Sequence, residues 1–288
     1  MVVCERIYIC YFSKTYKMNE LQKRLASGIV YVLLVVGSVL TDKYIFITTF
    51  AILGLICINE FLRITSLSLK NLYRLIFLIL TCTPYLIKIP QNTLLICSTI
   101  TVVYNIYLIV NLFWSNVSIP NKISHYIHPI TYISLGFSFT ILLPFYRGVS
   151  SYNQYIILGV LIFIWVNDSF AYITGKNFGK HKLYESISPK KTIEGFLGGF
   201  VATLITAVIF GKVTDENFPI NQWVIIGGIT SVIGTIGDLI QSKFKRKANV
   251  KDSGTIMPGH GGIYDRLDSL LFSGPFIYLY LQFITYVS

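Results

Sequence analysis

The sequence predicts an all-α fold: a polytopic transmembrane helical bundle of about nine spans with the N-terminus in the cytoplasm. Three observations carry that expectation. Hydrophobic residues make up 53% of the 288 and charged residues only 13%, where soluble domains run near a quarter charged. Mean hydropathy is +0.63, and apolar runs near the ~20 residues that cross a bilayer recur from Ala26 to the C-terminus. Of the 24 Lys and Arg residues, only Lys43, Lys88, Arg147 and Lys212 fall on the side opposite the others, the asymmetry of the positive-inside rule.

The expected spans are Ala26–Leu40, Tyr44–Leu62, Leu72–Ile89, Thr93–Trp114, Tyr126–Phe145, Tyr155–Gly175, Thr192–Gly211, Trp223–Ile240 and Leu267–Tyr286. Pro84, Pro90, Pro129 and Pro144 punctuate the third to fifth, which membrane helices tolerate. An odd span count puts the C-terminus outside. No signal-peptide cleavage pattern precedes the first span, so that span is expected to stay in the mature protein. Residues 1–17 differ in character from the rest of the chain and read as an extension or a mis-assigned start, because Met18 opens a more natural lead into the first span.

Cys4, Cys10, Cys57, Cys82 and Cys97 form no CxxC pair, so neither a disulfide framework nor a zinc site is indicated. The net charge of +11 is spread between apolar runs and is not gathered on one soluble face; the expected counterpart is anionic lipid or nucleotide phosphate, with no nucleic acid. The longest polar segments are two cytoplasmic loops, Lys176–Lys191 and Gln241–Arg266, and function is expected there. No internal repeat is evident, which weighs against a transporter built from related halves.

Acidic residues are few. Glu60, Asp168, Asp238 and Asp268 interrupt or border apolar runs, and a carboxylate in hydrocarbon must be neutralised, paired or bound to a cation. Asp238 is expected to close the eighth span, where the helix dipole disfavours negative charge, while Asp265 and Asp268 open the ninth. Carboxylates converging from two helix ends suit a hard cation such as Mg²⁺. Plain dipole capping accounts for Asp265 equally well but not for Asp238.

Between these acids the loop combines Lys243, Lys245, Arg246, Lys247 and Lys251 with Asp252 and the run Pro258-Gly259-His260-Gly261-Gly262. Glycines let backbone N–H groups approach phosphate oxygens and the cations supply compensating charge. No Walker A pattern occurs. A basic segment that merely touches anionic lipid is the bland alternative, and it has no need of His260 or Asp252. Glu194, opening the seventh span after Lys191-Thr192, fits either a capping box or the same polar pocket as Asp168 and Asp238.

The stretch Ser242 to Asp268, S-K-F-K-R-K-A-N-V-K-D-S-G-T-I-M-P-G-H-G-G-I-Y-D-R-L-D, resembles the signature of the phosphatidate cytidylyltransferase (CDP-diglyceride synthase) family. Met257 stands where that pattern has another apolar residue. A second block, Asp168-Ser169-Phe170-Ala171-Tyr172 with Gly175, Gly179-Lys180 and Ser188 to Gly195, resembles the family's other cytoplasmic segment. The two cover roughly the last 120 residues. The first half matches only in character, through Gln22-Lys23-Arg24-Leu25 and Glu60.

The resemblance implies transfer of a cytidylyl group from CTP to phosphatidic acid, giving CDP-diacylglycerol and pyrophosphate, with Mg²⁺ and room for a second cation. It further implies membrane lipid as partner, a homodimer as an open expectation, and a bacterial inner membrane with the site facing the cytoplasm. Residues 18–150 are then N-terminal transmembrane helices and 151–288 the catalytic region. On this reading Asp238 and Asp265 hold the metal and Asp268 stands next to them. Lys245, Arg246 and Lys251 clamp phosphates, and Lys190, Lys191 and Arg266 neutralise the lipid headgroup or leaving group. Ser242, Asp252, His260, Gly261, Gly262, Asp168 and Glu194 complete the expected binding site. The rivals are a prenyl-lipid cytidylyltransferase, a lipid kinase, a scaffold and a transporter; a transporter would line a path across the bilayer, whereas these acids cluster at one face.

Overall fold

A computed structural model describes residues 20–87, 89–114, 126–214, 218–259 and 261–287. The proposed extension 1–17 and His260 lie outside them. The chain forms α1 (Glu20–Thr41), α2 (Lys43–Ile64), α3 (Lys70–Leu86) and α4 (Gln91–Phe113). A fifth span, Tyr126–Phe145, contains a π-helical segment Pro129–Leu135, α5 (Gly136–Leu142) and a 3₁₀ turn Leu143–Phe145. Beyond it come α6 (Gln154–Phe178), a hairpin of β1 (Lys182–Tyr184) and β2 (Ser188–Thr192), α7 (Ile193–Val213), α8 (Ile220–Lys247) and α9 (Tyr264–Val287).

Among the described residues 8 helices are long and apolar enough to span a membrane. The expected third span, α3, has 17 residues, about 25 Å at 1.5 Å per residue, just short of a hydrocarbon core of ~30 Å. This is an integral membrane protein. Its spans differ in how enclosed they are: Tyr264–Tyr286 is 72% buried and Tyr126–Phe145 67%, against 22% for both Arg24–Thr41 and Ile193–Val213. The fifth and last spans therefore form the centre, and α1 and α7 turn large apolar side chains such as Leu33, Val30, Val201 and Ile209 outward, as lipid contact requires.

Local sequence explains the joints. Asp42 caps α2 by accepting from the Tyr44 N–H at 2.7 Å, and Asn153 does the same for α6 through Tyr155. In the crowded fifth span Ser134, Ser138 and Thr140 hydroxyls donate to carbonyls of their own helical segment, so these hydroxyls are not left to hydrocarbon. α6 and α7 approach closely because α7 carries small residues: a Cβ on Gly199 would lie 2.7 Å from the Asn167 carbonyl oxygen.

One expectation is overturned. Asp238 does not close its helix: α8 continues to Lys247, 28 residues in all, about 42 Å and longer than the hydrocarbon core. Lys243, Lys245, Arg246 and Lys247 are thus helical and not part of a flexible loop. Hydropathy falls at Asp238 because the helix leaves hydrocarbon there, while lysine and arginine remain good helix formers and their long stems keep the charge in water. The other polar segment, expected as a loop, holds the antiparallel β1–β2 hairpin, which pairs Lys182 with Thr192 and Tyr184 with Ser188.

Candidate active site

Beneath the polar end lies an aromatic floor. Phe61 of α2 meets Tyr132, Phe244 and Tyr264 edge-on with ring centroids 5.2–6.0 Å apart. Tyr132 stacks on Phe244 at 5.8 Å, and the Tyr264 hydroxyl donates to that of Tyr132 at 3.0 Å. This cluster ties α2, the fifth span, α8 and α9 together beside Glu60 and Asp265.

A cavity of about 330 Å³ opens above α6, α7 and α8, lined by Asp168, Lys190, Lys191, Thr192, Thr235 and Asp238 among others. In its wall Lys191 Nζ sits 2.6 Å from Asp238 Oδ2, with side chains 28% and 31% exposed. The other oxygen, Oδ1, accepts from Ser242, one turn later on α8, at 3.3 Å. Burial pushes the Lys191 ammonium down, but contact with Asp238, aided by Asp168 and Asp268, outweighs it and leaves the pKa above the ordinary lysine value. Asp168 lines the same cavity as Asp238. Asn167, which sequence reasoning missed, braces this wall: its Oδ1 accepts from Ser231 and its Nδ2 donates to Thr235 at 3.3 Å.

The second centre is at the start of α9. Lys245 Nζ lies 2.7 Å from Asp265 Oδ1, with side chains 10% and 7% exposed. Gln241 donates to the same oxygen at 3.1 Å. Asp265 Oδ2 receives the Ser253 N–H at 2.8 Å and the Gly262 N–H at 3.0 Å, and Ser253 Oγ lies 3.0 Å away. Asp268, buried, accepts from the Ser269 N–H.

The expected residues take distinct places. Lys190 and Lys191 both line the cavity, Lys191 against Asp238 and Lys190 more exposed, as alternation along β2 separates neighbours. Glu194 is not among the cavity's lining residues. It accepts from the N–H groups of Lys180 and His181 and lies 2.6 Å from His181 Nδ1, so it fastens the turn before β1, while Thr192 caps α7 through the Gly195 N–H. The Gly262 N–H, expected to face phosphate, is engaged by Asp265. Arg246 donates to the Val250 carbonyl beyond the end of α8. Lys251, Asp252 and Arg266 are exposed, and Gly261 adopts φ +86°, a conformation glycine favours.

No three His, Cys, Asp or Glu side chains converge closely enough among the described residues to hold a metal by themselves. Mg²⁺ needs only one or two carboxylates when substrate phosphates complete its shell. Asp238, about a third exposed, fits that requirement once Lys191 leaves its Oδ2, the other oxygen being held only by Ser242 at 3.3 Å. Asp265 fits it only if Lys245 moves aside, because both its oxygens already face protein donors.

Apolar spans enclosing acids from α6, α8 and α9, answered by lysines at one end of the bundle, define a membrane protein built to handle anions at its surface. The chain belongs to the cytidylyltransferase family, whose family model matches residues 22–284. It is 34% identical over 271 residues to the phosphatidate cytidylyltransferase of Bacillus subtilis, covering 92% of this chain and 98% of that protein. Phosphatidate cytidylyltransferases of Staphylococcus aureus and Staphylococcus haemolyticus are 45% and 43% identical over 154 and 152 residues, about half of each chain.

Proposed function

We propose that this protein transfers the cytidylyl group of CTP to phosphatidate at the cytoplasmic face of a bacterial inner membrane. The observation that carries the reading is the Lys191–Asp238 pair in the wall of a cavity at the polar end of the bundle. One substrate never leaves the bilayer and the other is soluble, so the site has to lie where helices leave hydrocarbon. The cavity between α6, α7 and α8 meets that condition, and the Lys and Arg asymmetry orients it inward.

Chemically, an oxygen of the phosphatidate phosphate attacks the α-phosphorus of CTP while the bond to the β-phosphate bridging oxygen breaks and pyrophosphate leaves. The nucleophile is already an anion, so no general base is required. The protein has to align the two anions in line and offset their repulsion. Lys191, released from Asp238 when phosphate arrives, and Lys190 at the rim supply positive charge there. Lys251, Arg246 and Arg266 lie exposed on the neighbouring segments to engage phosphates. Asp238, and Asp265 if freed from Lys245, would hold Mg²⁺, which would supply charge neutralisation on the triphosphate.

The test is purified protein in detergent with phosphatidate, Mg²⁺ and labelled CTP, following CDP-diacylglycerol and pyrophosphate together. Both products in equal amounts are expected. Product only with a polyprenyl phosphate, or ADP from ATP, would transfer the site to the rival enzymes, and no product with any of these would end the reading.

A further inference from the structure

We propose that Glu60, supplied by the N-terminal half of the chain, is a positioning residue for this site: it fastens Ser253 and the start of α9 at Ile263 and Tyr264 and so sets the Asp265–Lys245 pair. The inference rests on the cytidylyltransfer reading for its kinetic arm only.

Glu60 is 1% exposed and lies near the end of α2, one residue from Phe61 in the aromatic floor. Its Oε2 accepts from the Tyr264 N–H at 2.9 Å and from Ser253 Oγ at 2.7 Å, and its Oε1 accepts from the Ile263 N–H at 3.2 Å. The first N–H groups of a helix have no partner within it, and the positive end of the dipole favours a carboxylate there. Glu60 therefore caps α9 from another helix, 193 residues away from Ser253 in sequence. Two glycines of the signature are shaped to this carboxylate: a Cβ on Gly262 would come 2.3 Å from Oε2, and one on Gly254 2.5 Å from Oε1.

Ser253 joins the two centres. Its Oγ reaches Glu60 Oε2 and Asp265 Oδ2 alike, and its N–H goes to Asp265. A hydroxyl has one proton, so it serves one carboxylate at a time and holds both acids to a common point. Moving Glu60 therefore moves Asp265, and Lys245 and Gln241 with it.

The experiment uses the full chain in detergent. Glu60→Gln keeps the shape but turns an amide toward backbone donors; Ser253→Ala removes only the hydroxyl link. Three quantities are read: tryptic cleavage after Lys251 against cleavage in other loops, melting temperature, and KM for each substrate. Glu60→Gln is expected to speed cleavage after Lys251 selectively and to raise KM for CTP by roughly 10–100-fold, the range for residues that hold a binding group in place. KM for phosphatidate stays unchanged, and Glu60→Asp recovers much of the loss. A merely structural role would leave both KM values alone, lower the melting temperature and expose all loops together; that result, or wild-type behaviour, overturns the proposal. If Glu60→Gln does not fold, Ser253→Ala decides: selective cleavage after Lys251 supports the proposal and a wild-type cleavage pattern overturns it. If the wild type makes no CDP-diacylglycerol, the functional reading falls while the cleavage arm still judges Glu60.

Discussion

Two lysine–aspartate pairs of nearly equal length lie at the same end of this molecule, and their surroundings differ. Lys191–Asp238 spans 2.6 Å in a cavity wall with about a third of each side chain exposed. Lys245–Asp265 spans 2.7 Å, is almost enclosed, and shares its carboxylate with the N–H groups of Ser253 and Gly262 and the amide of Gln241. Distance does not separate them. Enclosure and the number of donors do: a part-exposed pair with few other donors exchanges partners more readily, whereas removing one member of an enclosed pair strands the other charge.

The comparison breaks most visibly at Asp265. Asp265→Asn leaves the Lys245 ammonium buried without its counter-charge and weakens the Ser253 and Gly262 bonds, so a loss of about 3–5 kcal/mol of stability is expected, measured by thermal unfolding in detergent. Activity falls with the fold. A variant that melts like the wild type would show that the enclosed pair is not the structural one.

Asp238→Asn should do the opposite. With the pair part-exposed, stability falls less than in Asp265→Asn, while cytidylyltransfer drops by roughly 10²–10³-fold, as when one preorganised electrostatic contact is lost. Initial rates on folded, size-selected protein check this. Strong destabilisation with retained turnover would reverse the roles assigned to the two pairs.

The smallest effect sharpens the contrast through pH. The Lys191 pKa is raised in the folded protein by Asp238, so the pair's contribution is complete below the ordinary lysine value of ~10.4 and is lost only as pH climbs through the higher folded value. The difference in melting temperature between wild type and Lys191→Met should stay constant from about pH 8 to 9.5, above the range in which the neighbouring carboxylates titrate. A difference that shrinks across that range would mean Lys191 loses its proton early and is not held by Asp238.

How much of this was legible in the sequence differs from residue to residue. Asp168, Asp238, Asp265 and Asp268 stood out because a carboxylate beside a long apolar run is rare and costly. Their surroundings did not stand out. Lys190 and Lys191 are adjacent letters, and only the hairpin's alternation separates a rim residue from Asp238's partner. Glu194 fits two readings equally well in the sequence, and only its turn shows His181 and Lys180 as the groups it holds. Glu60 was visible as an acid in an apolar run, but nothing near it names its partners.

From the order of residues alone it follows that the chain crosses the membrane many times, and eight of the nine expected segments are long apolar helices, because side chains facing hydrocarbon must be apolar over about 20 residues and the backbone there must be helical. The same order also determined the family, since fixed polar positions in Ser242–Asp268 are read one by one. Tertiary structure alone decided that α8 runs on past Asp238 to Lys247, because hydropathy marks where lipid ends and not where a helix ends. It alone decided that Glu60 meets Ser253, Ile263 and Tyr264: which carboxylate caps which helix depends on packing between spans, and no local pattern encodes that.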